Sequence, residues 1–444
     1  MAEKKDSGYS WMILVGSSIN YFISVGVMKL FGMLYSELLE TYDSAAGSTA
    51  FINSLQIFIM AAVSPLAGLM STTYSFRVVT FTGSIIVGLG ITISGLTTNP
   101  QMLYLTYGVI AGIGFGFVYS PSVTIVNYYF YKKKALANGI VGAASGVSTI
   151  VLPVLYRTVF DVYGLHGGLI VLGGFCLNLC VGSVIFKQPE LFLKVNNTSV
   201  HNSKNFTTSD GILSKTTSCF FDSIKIFKSI LKSRTFIFYA FAFSFAILGY
   251  VGNFVIIPPH LRSRGVENSD IVKILTTSGV GELTGRILVG LIIDKKYVKP
   301  EILFTGSMIV SGIFCIVFPF FDAVWMNYFY CIYFGLVPGS VVTLMPLMII
   351  SATNLQVLTP AFALSLLLND TFCLLGFPLC GWLEDMTGTW DASFYFLGGS
   401  QVMAAVFAYT GFSYYSKHQN KKSHNPGDLI LSSDDEKESI PMIE

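Results

Sequence analysis

The stretch YFISVGVMKLFGMLYSEL, residues 21–38, is an apolar run of helical length with one lysine, Lys29, near its middle. In a soluble protein the lysine stem would bend to water and mean little. In a bilayer an ammonium at that depth costs about 2.5–3.5 kcal/mol, so its presence there needs a reason. Which solvent surrounds this run therefore decides the fold. The 444 residues are 52% hydrophobic and 12% charged, with 37 Phe and a mean hydropathy of +0.64. Soluble domains carry about 25% charged residues, so lipid is the main solvent. Of the 7 cysteines, Cys176, Cys180, Cys315, Cys373 and Cys380 lie inside apolar runs. No pair has metal-ligand or disulfide-framework spacing, and they read as small hydrophobes. The first apolar segment is too long for a signal-peptide core and lacks a small-residue cleavage site, so no cleavable leader is expected.

A hydrocarbon core about 30 Å thick takes roughly 20 apolar residues per helix, which divides the chain into about twelve spans. They fall near 11–38, 48–70, 77–97, 102–129, 135–157 and 166–186, then 235–258, 271–293, 301–321, 324–350, 361–382 and 391–416. Alternate connections are basic: EKK at 3–5, Arg77, KKK at 132–134, the 187–234 segment, DKK at 294–296, and Lys417, Lys421 and Lys422. The opposite connections hold only Arg157, Arg262 and Arg264 of the 27 Lys and Arg. Basic loops stay on the cytoplasmic side, so both termini are expected in the cytoplasm; the plasma membrane is the expected location, which loop charge by itself does not specify. Residues 187–234 are polar, rich in Ser, Thr, Asn and Lys, and read as a cytoplasmic linker between two six-span halves, 11–186 and 235–416. The sequons at Asn196, Asn197 and Asn205 would then face the side that is not glycosylated. Residues 1–10 form a short cytoplasmic N-terminus, and 417–444, ending in SSDDEKESIPMIE, read as a disordered cytoplasmic tail.

The halves echo each other. DVYGLHGGLIVLGG (161–174) is similar to DMTGTWDASFYFLGG (385–399) at an offset of 224 residues. GLIIDKK (290–296) resembles the facilitator loop signature between the second and third spans of a half, whereas its first-half counterpart GLMSTTYSFR (68–77) keeps Gly68 and Arg77 but lacks the acid. Similar six-helix halves joined by a cytoplasmic loop are the organisation of secondary transporters of the major facilitator type. The expected fold is therefore an all-α membrane protein of that fold, with about twelve transmembrane helices in two six-helix halves.

Three stretches resemble one family within that fold, the monocarboxylate transporters. DSGYSW (6–11) resembles the family's entry into span one, with Ser7 and Tyr9 where it has Gly and Trp. YFYKKKALANGIVGAASG (129–146) resembles its second signature, between spans four and five. FALSLLLND (362–370) and GFPLCGWLEDMTGTWDASFYFLGG (376–399) resemble its last two spans. The similarity covers about 6–190 and 235–416. His166 stands where the family has an arginine and is expected in an outer loop.

Charges inside apolar spans are rare and usually face a cavity, so each is a candidate. Lys29 could snorkel to the outer headgroups; the resemblance instead implies that it is the cation receiving substrate carboxylate, and it can lose its charge more readily than an arginine. Glu282 and Arg286, in SGVGELTGRILVG, are four residues apart and share a helix face. They could be a structural ion pair. The resemblance implies that Arg286 pairs with the substrate carboxylate, which its forked donors suit, and that the acid carries a coupled proton, with Glu here in place of the family's Asp. Asp370, in LLLNDTF, inherits no family role, since the family's polar residue aligns with Asn369. It could take a proton or a cationic group of a substrate, or be paired with backbone or Ser groups. Asn138 and Asn253 are lesser candidates for substrate binding; Asn253 follows Lys29 by the repeat offset, and both could equally be packing amides.

The expected function is secondary active transport of small monocarboxylates of the lactate or pyruvate kind, with a proton, by alternating access. Substrate binding is expected at Lys29, Arg286, Asn138 and Asn253, and proton coupling at Glu282, Lys29 and Asp370. Pro346, in TLMPLMIISATN (343–354), replaces an aromatic of lactate-type members and points to another carrier, of creatine, carnitine, an aromatic amino acid or a hormone-like acid, without protons. A transport-inactive receptor or sensor on the same fold is the reading from a different class. No P-loop, metal box or catalytic triad is visible, so no cofactor, nucleic acid or enzymatic activity is expected. The expected partners are the bilayer, the substrate and the proton, and the resemblance adds a single-span accessory glycoprotein similar to basigin.

Overall fold

A computed structural model of the chain describes residues 6, 8–42, 46–192, 225–321 and 323–424. The sequons, most of the 187–234 linker and the tail beyond 424 lie outside the described residues. All regular structure in the described part is helical, as a bilayer demands, because only helices and closed barrels satisfy every backbone polar group there. The first four helices are α1 Gly8–Tyr42, α2 Ala46–Thr73, α3 Phe76–Leu96 and α4 Pro100–Tyr129. Next come α5 Lys134–Cys176 and the short α6 Leu179–Val184. The second half holds α7 Arg234–Ser263, α8 Asn268–Asp294 and α9 Pro300–Val317, then α10 Val324–Ala352, α11 Leu358–Thr387 and α12 Asp391–His424.

Nine stretches among the described residues are long and apolar enough to cross a membrane, one of them the 51-residue run Lys134–Val184. That run is two crossings: Gly164 inside it has φ 65° and ψ −173°, a left-handed φ that an L side chain resists. The break falls later than the expected end of span five at 157. His166 follows this corner, at the start of the helical run that leads into the sixth crossing, with Nδ1 3.2 Å from the Gly95 carbonyl oxygen at the end of α3. The helices α8 and α12 complete the twelve; α8 carries Glu282 and Arg286 in its middle, which lowers its hydropathy.

Packing is inverted relative to a soluble domain. Val154, Leu375 and Trp325 are about two-thirds exposed, while Ser17, Asn20, Gln56, Ser84 and Gln401 are fully buried. Exposed apolar surface on this scale marks a membrane face, and polar and small residues hold the helices together from inside. The two halves meet chiefly where α5 packs on α8 and α2 on α11. Gly146 of α5 sets the first of these approaches. A Cβ there would sit 2.7 Å from both the Gly279 oxygen and the Leu283 nitrogen, both of them backbone atoms that cannot step aside.

The halves are latched at the end that carries the 130–133 and 295–299 connections. Asp294 of GLIIDKK accepts the backbone N–H groups of Ala135 and Leu136 at 2.9 and 2.8 Å, capping the N-terminus of α5 from the other half. At the mirrored position, where the first half lacks an acid, the Thr359 hydroxyl of α11 lies 3.0 Å from Thr124 Oγ1 and 2.9 Å from Tyr128 Oη, both of α4. The two signature segments also touch. The Asp6 carboxylate accepts from the backbone of Tyr131, Lys132 and Lys133, and Trp11 packs edge-on against Phe130, with ring centroids 5.5 Å apart.

Gly146→Val should force α5 and α8 apart. The expected result is a lower melting temperature for detergent-purified protein, from an overpacking cost of about 1–3 kcal/mol. An unchanged melting curve would show that the helix spacing is not set there.

Candidate substrate site at the seam of the two halves

Five helices bring one cluster together. Lys29 comes from α1, Ser145 and Thr149 from α5, Tyr250 from α7, Glu282 and Arg286 from α8, and the Gly339 carbonyl from α10. The first two helices belong to one half and the other three to its partner half. Glu282, at 0% exposure, is the centre. Lys29 Nζ donates to both of its oxygens, at 2.9 and 3.0 Å, and to Thr149 Oγ1 at 2.9 Å. The Tyr250 hydroxyl donates to Glu282 Oε1, and the Ser145 hydroxyl donates to Oε2 at 2.8 Å. Arg286 Nη2 stands 3.7 Å from Oε2.

Arg286 is itself committed. Its Nε donates to the Gly339 oxygen at 3.0 Å, and Nη1 donates to the Gly142 oxygen at 2.8 Å and to the Tyr21 hydroxyl at 3.3 Å. Small residues make room for it, since a Cβ at Gly142 would lie 3.0 Å from Arg286 Cδ. The ionic core is therefore two cations around one carboxylate, with a formal charge of +1. A surplus cation in a low-dielectric seam attracts one anion. The way in is beside Lys29, whose side chain keeps 35% of its surface open against 4% for Arg286.

Of the residues singled out in the sequence, Lys29, Glu282 and Arg286 come together and two others do not. Asn138 is paired with Asn127 in both directions, at 3.1 and 2.7 Å, and donates to the Lys134 oxygen, holding the start of α5 against α4. Asn253 is buried in the second half, donating to the Gly249 oxygen at 2.7 Å and accepting from the Tyr330 hydroxyl at 2.6 Å. Both make packing bonds away from the cluster. Asp370 lies on α11 and is not among the ligands around Glu282. Sequence reasoning missed Tyr250, Ser145, Thr149 and Tyr21. Ser145 and Thr149 are four apart, and Ser145 sits in the GAASG of the second signature, a signal that was available. Tyr250 and Tyr21 sit among many aromatics and carried none.

Twelve crossings in two halves, with a charged cluster enclosed at their seam, define a membrane carrier of the facilitator type. The chain belongs to the Major Facilitator Superfamily, whose sequence profile matches residues 17–364. Within it, the chain is related to proteins named monocarboxylate transporters. It is 26% identical to Monocarboxylate transporter 12 of Xenopus laevis over 98% of this chain and 94% of that protein. It is also 26% identical to Monocarboxylate transporter 2 of Homo sapiens, over 91% and 86%. Its fold is similar to that of the Major Facilitator Superfamily transporter FucP in the outward conformation, with a TM-score of 0.68 over 90% of this chain and 99% of that one at 13% identity. That likeness is one of fold.

Removing one member of a buried ion pair costs about 3–5 kcal/mol, because the other charge is left uncompensated. Arg286→Ala should therefore destabilise the purified protein by that order, and Lys29→Ala by much less, because Lys29 is partly open. Equal losses in a side-by-side thermal shift would contradict this ranking of the two cations.

Proposed function

We propose that the chain is a secondary active carrier of small monocarboxylates, with Lys29 and Arg286 as the cations that receive the substrate carboxylate. The observation that carries this reading is that Glu282 already occupies the position such a carboxylate would take. All three Lys29 donors are used, two of them by Glu282. A proton on Glu282 would remove its charge and release Lys29 and the Nη2 side of Arg286. A substrate carboxylate then takes the vacated cations, and the core loaded with both proton and substrate carries +1, the formal charge of the empty core. The halves 11–186 and 235–416 would rock about this seam, exchanging the Asp294 and Thr359 latches for an opening on that side. Asn138 and Asn253 have no part in this cycle.

A second reading is supported by the same carboxylate. Two cations and two hydroxyls already bind Glu282, so a proton can enter only after one of those bonds breaks. A carrier that moves its substrate without a proton needs no such step. The basic-loop asymmetry supports cytoplasmic termini, and both the plasma-membrane location and the basigin-like partner rest on the family resemblance alone.

Uptake of labelled lactate, pyruvate and butyrate into proteoliposomes, with and without an inward proton gradient, separates these readings. Gradient-stimulated uptake that Lys29→Ala abolishes is the expected result. Uptake that ignores the gradient selects the uncoupled carrier. Uptake that survives Lys29→Ala with unchanged rate and affinity removes Lys29 from the site and ends the proposal.

A further inference from the structure

The side chains that hold the Glu282 carboxylate come from both sides of the seam. Lys29 and Ser145 reach it from α1 and α5 of the first half. The Tyr250 hydroxyl reaches Oε1 from α7 of the second half, which also carries Glu282 itself and Arg286. Rocking one half against the other would stretch the bonds from the first half and spare those within the second. Among the described residues, Tyr250 is then the hydroxyl that stays on the carboxylate, beside a guanidinium 3.7 Å away.

The second half builds Tyr250 into that position. The residue is 6% exposed, and its ring stands edge-on to Phe254, with centroids 5.2 Å apart. Residues two apart on a helix point to nearly opposite sides. Behind Tyr250, a Cβ at Gly252 would sit 2.6 Å from Leu397 Cδ2, so this turn of α7 lies tight on α12. From α10, a Cβ at Gly339 would lie 3.1 Å from Tyr250 Oη and 3.2 Å from Glu282 Cγ. A carboxylate only accepts, and the phenol beside it donates. A proton arriving from water at Oε1 would have to displace that O–H, and the Tyr250 hydroxyl would have to turn round and accept. The other titratable groups that pair with Glu282 among the described residues are Lys29 of α1 and Arg286 of α8. From α5 it receives the Ser145 hydroxyl, and α10 faces it with the Gly339 backbone.

We infer that Tyr250 is a positioning residue for Glu282. It keeps the carboxylate charged and beside Arg286 while the halves part, and so sets how far transport depends on an incoming proton. The inference rests on the carrier reading above. It holds for a coupled or an uncoupled carrier, because it concerns the change in coupling when the hydroxyl is lost.

The test measures uptake of labelled lactate, pyruvate and butyrate by the full chain in proteoliposomes, as the ratio of rates with and without an inward proton gradient. Tyr250→Phe should raise that ratio about threefold or more, since a proton must then settle Glu282 once Lys29 has left. Ser145→Ala removes a hydroxyl from the same carboxylate but from the other half, and should leave the ratio close to that of the unmodified protein. Gly339→Ala keeps the Tyr250 hydroxyl but presses a methyl group against it, and should raise the ratio as well. Where Tyr250→Phe does not purify as folded protein, Gly339→Ala decides alone. An unchanged or lowered ratio in the deciding variant overturns the inference. So does a rise in Ser145→Ala as large as that variant's, which would make the two hydroxyls interchangeable. Failure of the unmodified protein to carry any of the three acids would instead end the monocarboxylate reading, and this inference with it.

Discussion

The ion triad of Lys29, Glu282 and Arg286 is the constraint around which the rest of the protein is arranged. Each charge is expensive in a bilayer, and together they cost less only because they are within bonding reach of one another. That proximity cannot be made within one half. Lys29 enters from α1 of the first half, while Glu282 and Arg286 stand on α8 of the second. The Gly-rich faces of α5 and α8 let the two helices close on one another, Gly142 leaves space for the Arg286 side chain, and Gly339 leaves space for Tyr250 and Glu282. The same bonds that stabilise the triad tie the halves together at mid-membrane. Whatever loosens Glu282 therefore loosens the seam.

The latch at the end of the bundle shows how unequal halves can perform matching work. The second half keeps the acid of its loop signature and uses Asp294 to cap α5 with two charge-assisted hydrogen bonds. The first half lacks that acid and closes on α11 through neutral hydroxyls, Thr124 and Tyr128 around Thr359. Hydrogen bonds to a charged group are roughly twice as strong as neutral ones. The two seams thus differ in strength and in sensitivity to salt, although the pseudo-symmetry of the repeat would suggest otherwise. Asp6 adds a further acid on the 131–133 backbone, which ties the entry to α1 to the loop that leads into the latch.

Much of this was legible in order along the chain. Composition identified the solvent, span length divided the helices, and the offset repeat with GLIIDKK indicated two facilitator halves, because a bilayer leaves a chain few other ways to satisfy its backbone. Glu282 and Arg286 could be paired from their spacing, since a helix puts residues four apart on one face. Span five ran past its expected end because Arg157 reads as part of a connection, whereas the helix continues through it, pairs it with Asp161 on an exposed face, and turns only at the positive φ of Gly164. The amides were harder. Asn138 and Asn253 were plausible ligands by position, and both turned inward to Asn127 and Tyr330, partners that lie 11 and 77 residues away.

The sequence by itself determined that this chain lives in lipid, how many times it crosses, and that a few buried charges needed company. Those conclusions follow from local quantities: apolar length, charge and helical period. Which charges meet depended on how α1, α5, α7, α8 and α10 cross in space. Lys29 and Glu282 are 253 residues apart, and Tyr250 and Tyr21 carry no sign of their role until the helices bring them to the Glu282 carboxylate and the Arg286 guanidinium. Coulomb and hydrogen-bond energies depend on distance through space. Only the tertiary structure could turn an isolated lysine in an apolar run into one corner of a site.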